Sequence, residues 1–376
     1  MKNFILLQII PSLDSGGAER GTVDLANYLA EKNIHSYIIS NGGKMLPYLN
    51  RKKVSHIQLP VHSKNLLKMP FVARKVSKII KENKINIVHV RSRAPAWMMK
   101  FIPIKNFKTV STFHNIYGTQ YFLKQKYNQA MSKFDHVVAI SNYVKIKITE
   151  LYGINANKIS VIQRGVDENF FNPKINNNDE FEIFLSKYDI PSNKKIILYP
   201  GRLTAWKGQI EFLNIIKSFK KKNIICYFIG DDKNQSYTKK LLKEIKDKGI
   251  ENNCKIFGHL SSKDLKMMYI CSDLIISTPK KPEGFGRTVA ESLLMKKIIL
   301  AYNYGGAQEQ LEGLNSIYKI SPHDQDELKI KIIKSLNFSN SYKEKLGIIS
   351  RQHIIKNFSK QKMLDGYLKF YQKKIL

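Results

Sequence analysis

Residues 274–292 read LIISTPKKPEGFGRTVAES. Leu274, Ile275 and Ile276 open a short apolar run without alternation, the pattern of a strand covered on both faces. A loop marked by Pro279, Pro282, Gly284 and Gly286 follows, and a helix is predicted over 287–295. Strand, glycine loop, helix is the repeating unit of a parallel α/β sheet. The unit recurs at 195–208, KIILYPGRLTAWKG, and at the start of the chain, where an apolar run over 3–10 leads to Ser15-Gly16-Gly17 and a helix over 18–31.

Further strands are predicted over 35–40, 85–91, 108–114, 136–141 and 158–163, with helices over 71–82 and 142–151. The polar stretch 174–180 after Asn172-Pro173 reads as an interdomain linker. The pattern then restarts, with strands over 195–199, 224–229, 254–257, 274–277, 298–301 and 317–320, and helices over 239–248 and 263–271. The segment 360–373 reads as an amphipathic helix. A chain of 376 residues exceeds one hydrophobic core. The expected fold is α/β: two Rossmann-like, doubly wound parallel-sheet domains facing across a cleft, over 1–172 and 173–355, with a terminal helix over 356–376.

Apolar residues make up 43% and aromatics 11%, a globular composition. No apolar run reaches the roughly 20 residues of a membrane span. Gln8 and Pro11 break the greasy start, which reads as a buried strand rather than a leader peptide. Cys226, Cys254 and Cys271 have no metal-type spacing and read as small core residues of a reducing cytosol. The 63 basic and 30 acidic residues give a net charge of +33. No nucleic-acid-binding signature accompanies that charge, so nucleic acid is not expected as a partner. It favours an anion such as a nucleotide diphosphate, or an acidic membrane surface.

Four clusters can carry chemistry. In the first, Gly284 and Gly286 let backbone N–H groups approach an anion at a helix N-terminus, while Glu283 and Glu291 can accept hydrogen bonds from sugar hydroxyls and a ribose diol. Its plain alternative is a glycine-broken loop whose acid favours the helix dipole. The second is Arg202 and Lys207 on one loop after the strand 195–199, a guanidinium and an ammonium suited to a diphosphate and to the charge that develops on it as it leaves. Gly16-Gly17 resembles a phosphate loop without matching either phosphate-loop motif. His114 ends a strand. Asp324-Gln325-Asp326 follows Pro322 at a helix start, where capping is the commoner role, and no metal or other cofactor is assigned.

In this order and spacing, Gly16-Gly17-Ala18-Glu19-Arg20, Gly165-Val166-Asp167, Gly201-Arg202 with Lys207-Gly208, Glu283-Gly284-Phe285-Gly286 with Glu291, and Gly305-Gly306 resemble the family-4 glycosyltransferases of the GT-B fold. The resemblance covers nearly the whole chain. It implies a retaining, metal-independent transfer of a sugar from a nucleotide sugar to an envelope glycan or lipid-linked acceptor. Arg202 and Lys207 would hold the diphosphate, Glu291 the ribose, and Glu283 the donor sugar, with Gly284, Phe285 and Gly286 presenting backbone to it. Gly16 and Gly17 would line the reacting centre, His114 would approach the donor sugar, and Phe257-Gly258-His259 would meet the base. The terminal helix would cross back onto the first domain. Gln163-Arg164 departs from the proline and asparagine of many members. With Arg91 and Arg93 it adds cations on the acceptor side, which hints at an anionic acceptor. Rival readings are another GT-B nucleotide-sugar enzyme, an epimerase or a phosphorylase, and a non-catalytic module binding anionic surfaces.

Residues 51–84 hold ten basic residues against one acid, Glu82. Leu66, Leu67, Phe71, Val72, Val76, Ile79 and Ile80 are interleaved with them. Two readings stand: a basic amphipathic segment docking a cytoplasmic protein on anionic lipid at the inner membrane face, or a core-facing helix with a solvated lysine face.

Overall fold

The computed structural model describes residues 4–14, 16–103, 106–118, 122–175, 177–232 and 235–375. Ser15 of the first glycine cluster lies outside the described residues. The chain divides into two units, Met1–Arg164 with Gln361–Leu376, and Gly165–Lys360.

The first unit holds β1 (Leu6–Ile9), β2 (Ser36–Ser40), β3 (Val54–Gln58), β4 (Ile87–Val90), β5 (Lys108–Phe113), β6 (His136–Ala139) and β7 (Ile159–Val161). They form one parallel sheet in the order β3-β2-β1-β4-β5-β6-β7. Leu6 on β1 pairs with Ser36 on one side and Ile87 on the other. β1 and β4 are buried throughout, their Leu, Ile and Val side chains covered on both faces together with the buried polar Gln8 and His89. Leu6, Ile87, Val110 and Val138 pack with Leu25 and Leu29 of the helix Gly17–Glu31 and with Met363, Tyr367 and Tyr371 of the terminal segment. β3 was not expected. It is an edge strand whose Ser55 and His56 dilute the apolar signal, and a neighbouring strand supplied what its own sequence does not advertise.

The second unit holds β8 (Lys195–Pro200), β9 (Ile224–Ile229), β10 (Cys254–Gly258), β11 (Leu274–Ser277), β12 (Ile299–Tyr302) and β13 (Lys319–Ile320), all parallel, in the order β10-β9-β8-β11-β12-β13. Strand order reverses between β1 and β4 in the first sheet and between β8 and β11 in the second. These are the switch points beyond whose carboxyl ends open α/β sheets bind ligands.

Two expectations are corrected. The stretch 174–180 is not a plain linker: Asn177 accepts a hydrogen bond from the Glu180 N–H and caps a helix, Asn178–Tyr188. The division between units falls at 164/165 and 360/361 rather than 172/173 and 355/356. Val166 donates to the Phe358 carbonyl at 2.9 Å and accepts from Lys360 N–H at 2.8 Å, which binds 165–172 into the second unit. Arg351 reinforces this by donating to the carbonyls of Glu168 and Phe171.

All three cysteines are free thiols. Burial pushes Cys226 well above the ordinary range and Cys254 and Cys271 up to about 12, which makes them packing residues rather than nucleophiles.

Candidate functional site

The loops leaving β8 and β11 are stitched together at the switch point of the second sheet. Tyr199, fully buried on β8, donates from its hydroxyl to the Lys207 carbonyl at 2.7 Å and lies 2.8 Å from the Thr278 hydroxyl. The Lys280 N–H donates to the Trp206 carbonyl at 2.7 Å. Between these contacts the Lys207 ammonium reaches Glu283 Oε1 at 2.6 Å, with the two side chains 13% and 17% exposed. The same ammonium sits 4.9 Å from the centroid of the Trp206 ring.

Arg202 leaves the end of β8 on the same loop. Its carbonyl is held by the buried Gln209 amide at 3.1 Å, while its side chain is exposed. Among the described residues the Arg202 guanidinium makes no hydrogen bond or ion pair. A cation fixed at its backbone and open at its head is available to an incoming anion.

Gly286 has φ +85, a conformation that glycine adopts without strain, and caps the helix Arg287–Leu294. Glu291 is buried in the second turn of that helix. Arg287 donates to its Oε1 at 2.7 Å, and the fully buried Tyr269 hydroxyl donates to its Oε2 at 3.1 Å. Burial and the Glu291 charge hold the Tyr269 phenol well above its usual range, so it stays a donor. Sequence reasoning did not single out Tyr269 or Tyr199, and no spacing rule connects residue 269 with residue 291.

Phe285 is buried, with its ring 6.1 Å from that of Phe358. Phe257, at the end of β10, packs edge-on against Tyr227 at 5.0 Å and Tyr188 at 5.5 Å. Gly258 follows with φ +65, and His259 is exposed. The Asp324 carboxylate caps the helix Gln325–Leu336 by accepting from the Glu327 N–H at 2.8 Å.

The remaining candidates lie in the first unit. Gly16, after β1, caps the helix Gly17–Glu31. Arg164 is buried and donates to the Gly17 carbonyl. Arg91, at the end of β4, is almost wholly buried: its Nε donates to Gln8 Oε1 at 2.8 Å and its guanidinium lies 5.2 Å from the Tyr367 ring centroid. Its Nη1 and Nη2 have no hydrogen-bond partner among the described residues, nor has His114 Nε2. Burial, then the charges of Arg91 and Arg164, hold the His114 imidazole well below its usual range, hence neutral. Arg93 stands apart: its guanidinium lies 4.1 Å from the Tyr117 ring centroid and donates to Asn128 at 2.9 Å.

Two family models match the chain, Glycosyltransferase Family 4 over residues 15–170 and Glycosyl transferases group 1 over residues 180–357. A glycosyltransferase from Rickettsia africae ESF-5 is 36% identical over 99% of both chains, with a TM-score of 0.89. An uncharacterized glycosyltransferase of Methanocaldococcus jannaschii is 29% identical over 248 residues, 64% of this chain and 59% of that protein, so the match spans less than two thirds of that relative. The fold is also that of Anabaena Alr3699/HepE, solved in complex with UDP-glucose, at 19% identity over 98% of this chain and 100% of that one, with a TM-score of 0.81. With both halves matched by these models, and the switch-point loops built as described, the chain belongs to glycosyltransferase family 4 and has the two parallel α/β domains of the GT-B fold.

Proposed function

We propose that this protein transfers a glycosyl unit from a nucleoside-diphosphate sugar to a hydroxyl of an envelope glycan or lipid-linked acceptor, with retention at the anomeric carbon and without a metal ion. The observation that carries this is the joining of Lys207 and Glu283 at the β8–β11 switch point, beside the open guanidinium of Arg202. Arg202 and Lys207 hold the diphosphate, Glu291 the ribose and Glu283 the sugar hydroxyls. Phe257, Gly258 and His259 meet the base. The UDP-glucose bound by Anabaena HepE supports a donor of this class.

In the transfer, the bond from C1 to the phosphate oxygen breaks and the acceptor oxygen bonds to C1 on the same face. The acceptor proton passes to the departing phosphate oxygen. Negative charge grows on the diphosphate as this happens, and two fixed cations stabilise it more in the transition state than in the ground state. Neutral His114 can exchange hydrogen bonds with a sugar hydroxyl without adding charge.

A lipid-facing role of the first unit is part of the proposal. The helix Met69–Glu82 buries Met69, Val72, Ala73, Val76 and Ile80, so its apolar stripe belongs to the core. Leu67 is 82% and Phe71 66% exposed at its start, among Lys64, Lys68, Arg74 and Lys75. Exposed apolar side chains rimmed by cations suit an anionic bilayer. Among the described residues no helix is long and apolar enough to cross a membrane.

Donor hydrolysis across UDP-, GDP- and ADP-sugars tests the activity. Slow release of free sugar from one donor class, abolished in Lys207→Ala, is expected; none from any donor, or release unchanged in that variant, sinks the proposal.

A further inference from the structure

The helix Gly305–Leu311 presents a fully buried glutamine to the glycine loop between β11 and Arg287. Gln310 Nε2 donates to the Phe285 carbonyl and lies 3.4 Å from the Gly286 carbonyl and 3.3 Å from that of Gly306. Three carbonyls can be answered only by a donor, so the chemistry fixes which end of the amide faces them. The other end, Oε1, has no hydrogen-bond partner among the described residues. A bare buried acceptor is a cost, and a leucine filling similar space would not bear it.

The helix grips the loop a second way. The Gly306 N–H donates to the Glu283 carbonyl at 2.8 Å. A Cβ on Gly306 would stand 2.5 Å from both the Gly284 carbonyl oxygen and Phe285 Cα, so the two backbones meet with no side chain between them. The carbonyls of Glu283 and Phe285 are thus held by one short helix, and that of Gly286 by the same glutamine together with the Val289 N–H at 3.0 Å. In a trans peptide the N–H points opposite its carbonyl. Holding these three carbonyls therefore sets the direction of the Gly284, Gly286 and Arg287 N–H bonds, toward the other side of the loop.

We infer that Gln310 is a positioning residue for the donor: by holding the Phe285 and Gly286 carbonyls it aims the loop backbone at the glycosyl part of a nucleotide sugar. This rests on the donor site proposed above. It assigns the sugar, not the nucleotide, as the part of the ligand that senses Gln310.

The test is calorimetric titration of wild type, Gln310→Glu and Gln310→Leu with UDP, GDP and ADP and with UDP-glucose, GDP-mannose and ADP-glucose, with thermal melting to confirm folding. Gln310→Glu is isosteric but turns an acceptor on the three carbonyls. Affinity for the nucleotide sugar is expected to fall by about tenfold or more, the effect of misplacing one or two backbone donors. Affinity for the bare diphosphate, held by Arg202, Lys207 and Glu291, should change by less than about threefold. Equal losses for both ligands, or none for either, overturn the inference. A wild type that binds none of the six overturns the donor site itself. Should Gln310→Glu not fold, Gln310→Leu carries the same comparison.

Discussion

The Lys207 ammonium and the Glu283 carboxylate, 76 positions apart in sequence, meet at 2.6 Å where the loops after β8 and β11 converge. Each holds the other until a ligand arrives. On the proposed function a diphosphate would compete for the ammonium and a sugar hydroxyl for the carboxylate, so the two halves of one donor molecule would take over the two halves of the pair. Lys207→Ala should lower kcat/KM by about 10²- to 10³-fold, as for loss of one group that stabilises developing charge. Glu283→Gln, which keeps the shape, should lose less. Steady-state kinetics on the donor class found by hydrolysis reads both; equal effects would contradict separate roles.

Glu291 is aimed by Tyr269 and Arg287, one on each carboxylate oxygen. Tyr269→Phe removes a hydrogen bond to a charged group in a buried setting and should weaken nucleotide binding by about threefold to tenfold. Glu291→Gln should weaken it more, since the ribose loses a charged acceptor. Fluorescence or calorimetric titration with the nucleoside diphosphate measures the order; Tyr269→Phe binding like wild type would remove the tyrosine from the site's support.

Gly306→Ala places a methyl group where the neighbouring backbone already stands. The loop must move by several tenths of an ångström, and a destabilisation of about 1–3 kcal/mol is expected. Donor turnover should fall more steeply than the melting temperature alone would account for. Activity and melting measured on the same preparation separate the two.

His89 is fully buried on β4, with Nε2 2.6 Å from the Thr112 hydroxyl and Nδ1 against the Tyr371 hydroxyl. Burial, then the charges of Arg91 and His114, hold it well below its ordinary 6.5. His114 is depressed in the same direction. The folded state therefore keeps both neutral where the unfolded chain takes up protons. Stability is full above pH 6.5 and is lost progressively as pH falls below it toward the folded values. Denaturant midpoints at pH 7.5 and 5.0 should show that loss, and it should shrink in His89→Gln.

Charge reversal of Lys64, Lys68 and Lys75 together, or Leu67→Asp with Phe71→Asp, should abolish sedimentation with vesicles containing anionic lipid and leave soluble-donor hydrolysis unchanged. Each cation near such a surface contributes about 1 kcal/mol. Wild type that stays in the supernatant would end the lipid-docking proposal.

The two parallel sheets are written in local residue patterns. Unalternated Leu, Ile and Val runs such as 196–198 and 274–276 can be covered only on both faces, and the glycines and cations after them mark strand ends wherever the sheet order places those ends. The two loops that bring Lys207 to Glu283 were legible for that reason. The edge strand β3, whose Ser55, His56 and Ile57 are half-buried and Gln58 exposed, was not, because its pairing comes from β2 rather than from its own residues.

The partners that hold the site's side chains in place come from the folded chain and not from local pattern. Tyr269 reaches Glu291 across 22 positions, Gln310 reaches Phe285 across 25, and Arg91 finds Gln8 across 83. Hydrogen bonds between segments that distant in sequence follow from strand pairing, as for Arg91 at the end of β4 and Gln8 on neighbouring β1, and from the packing of helices and loops on the finished sheet. No local period or motif encodes them.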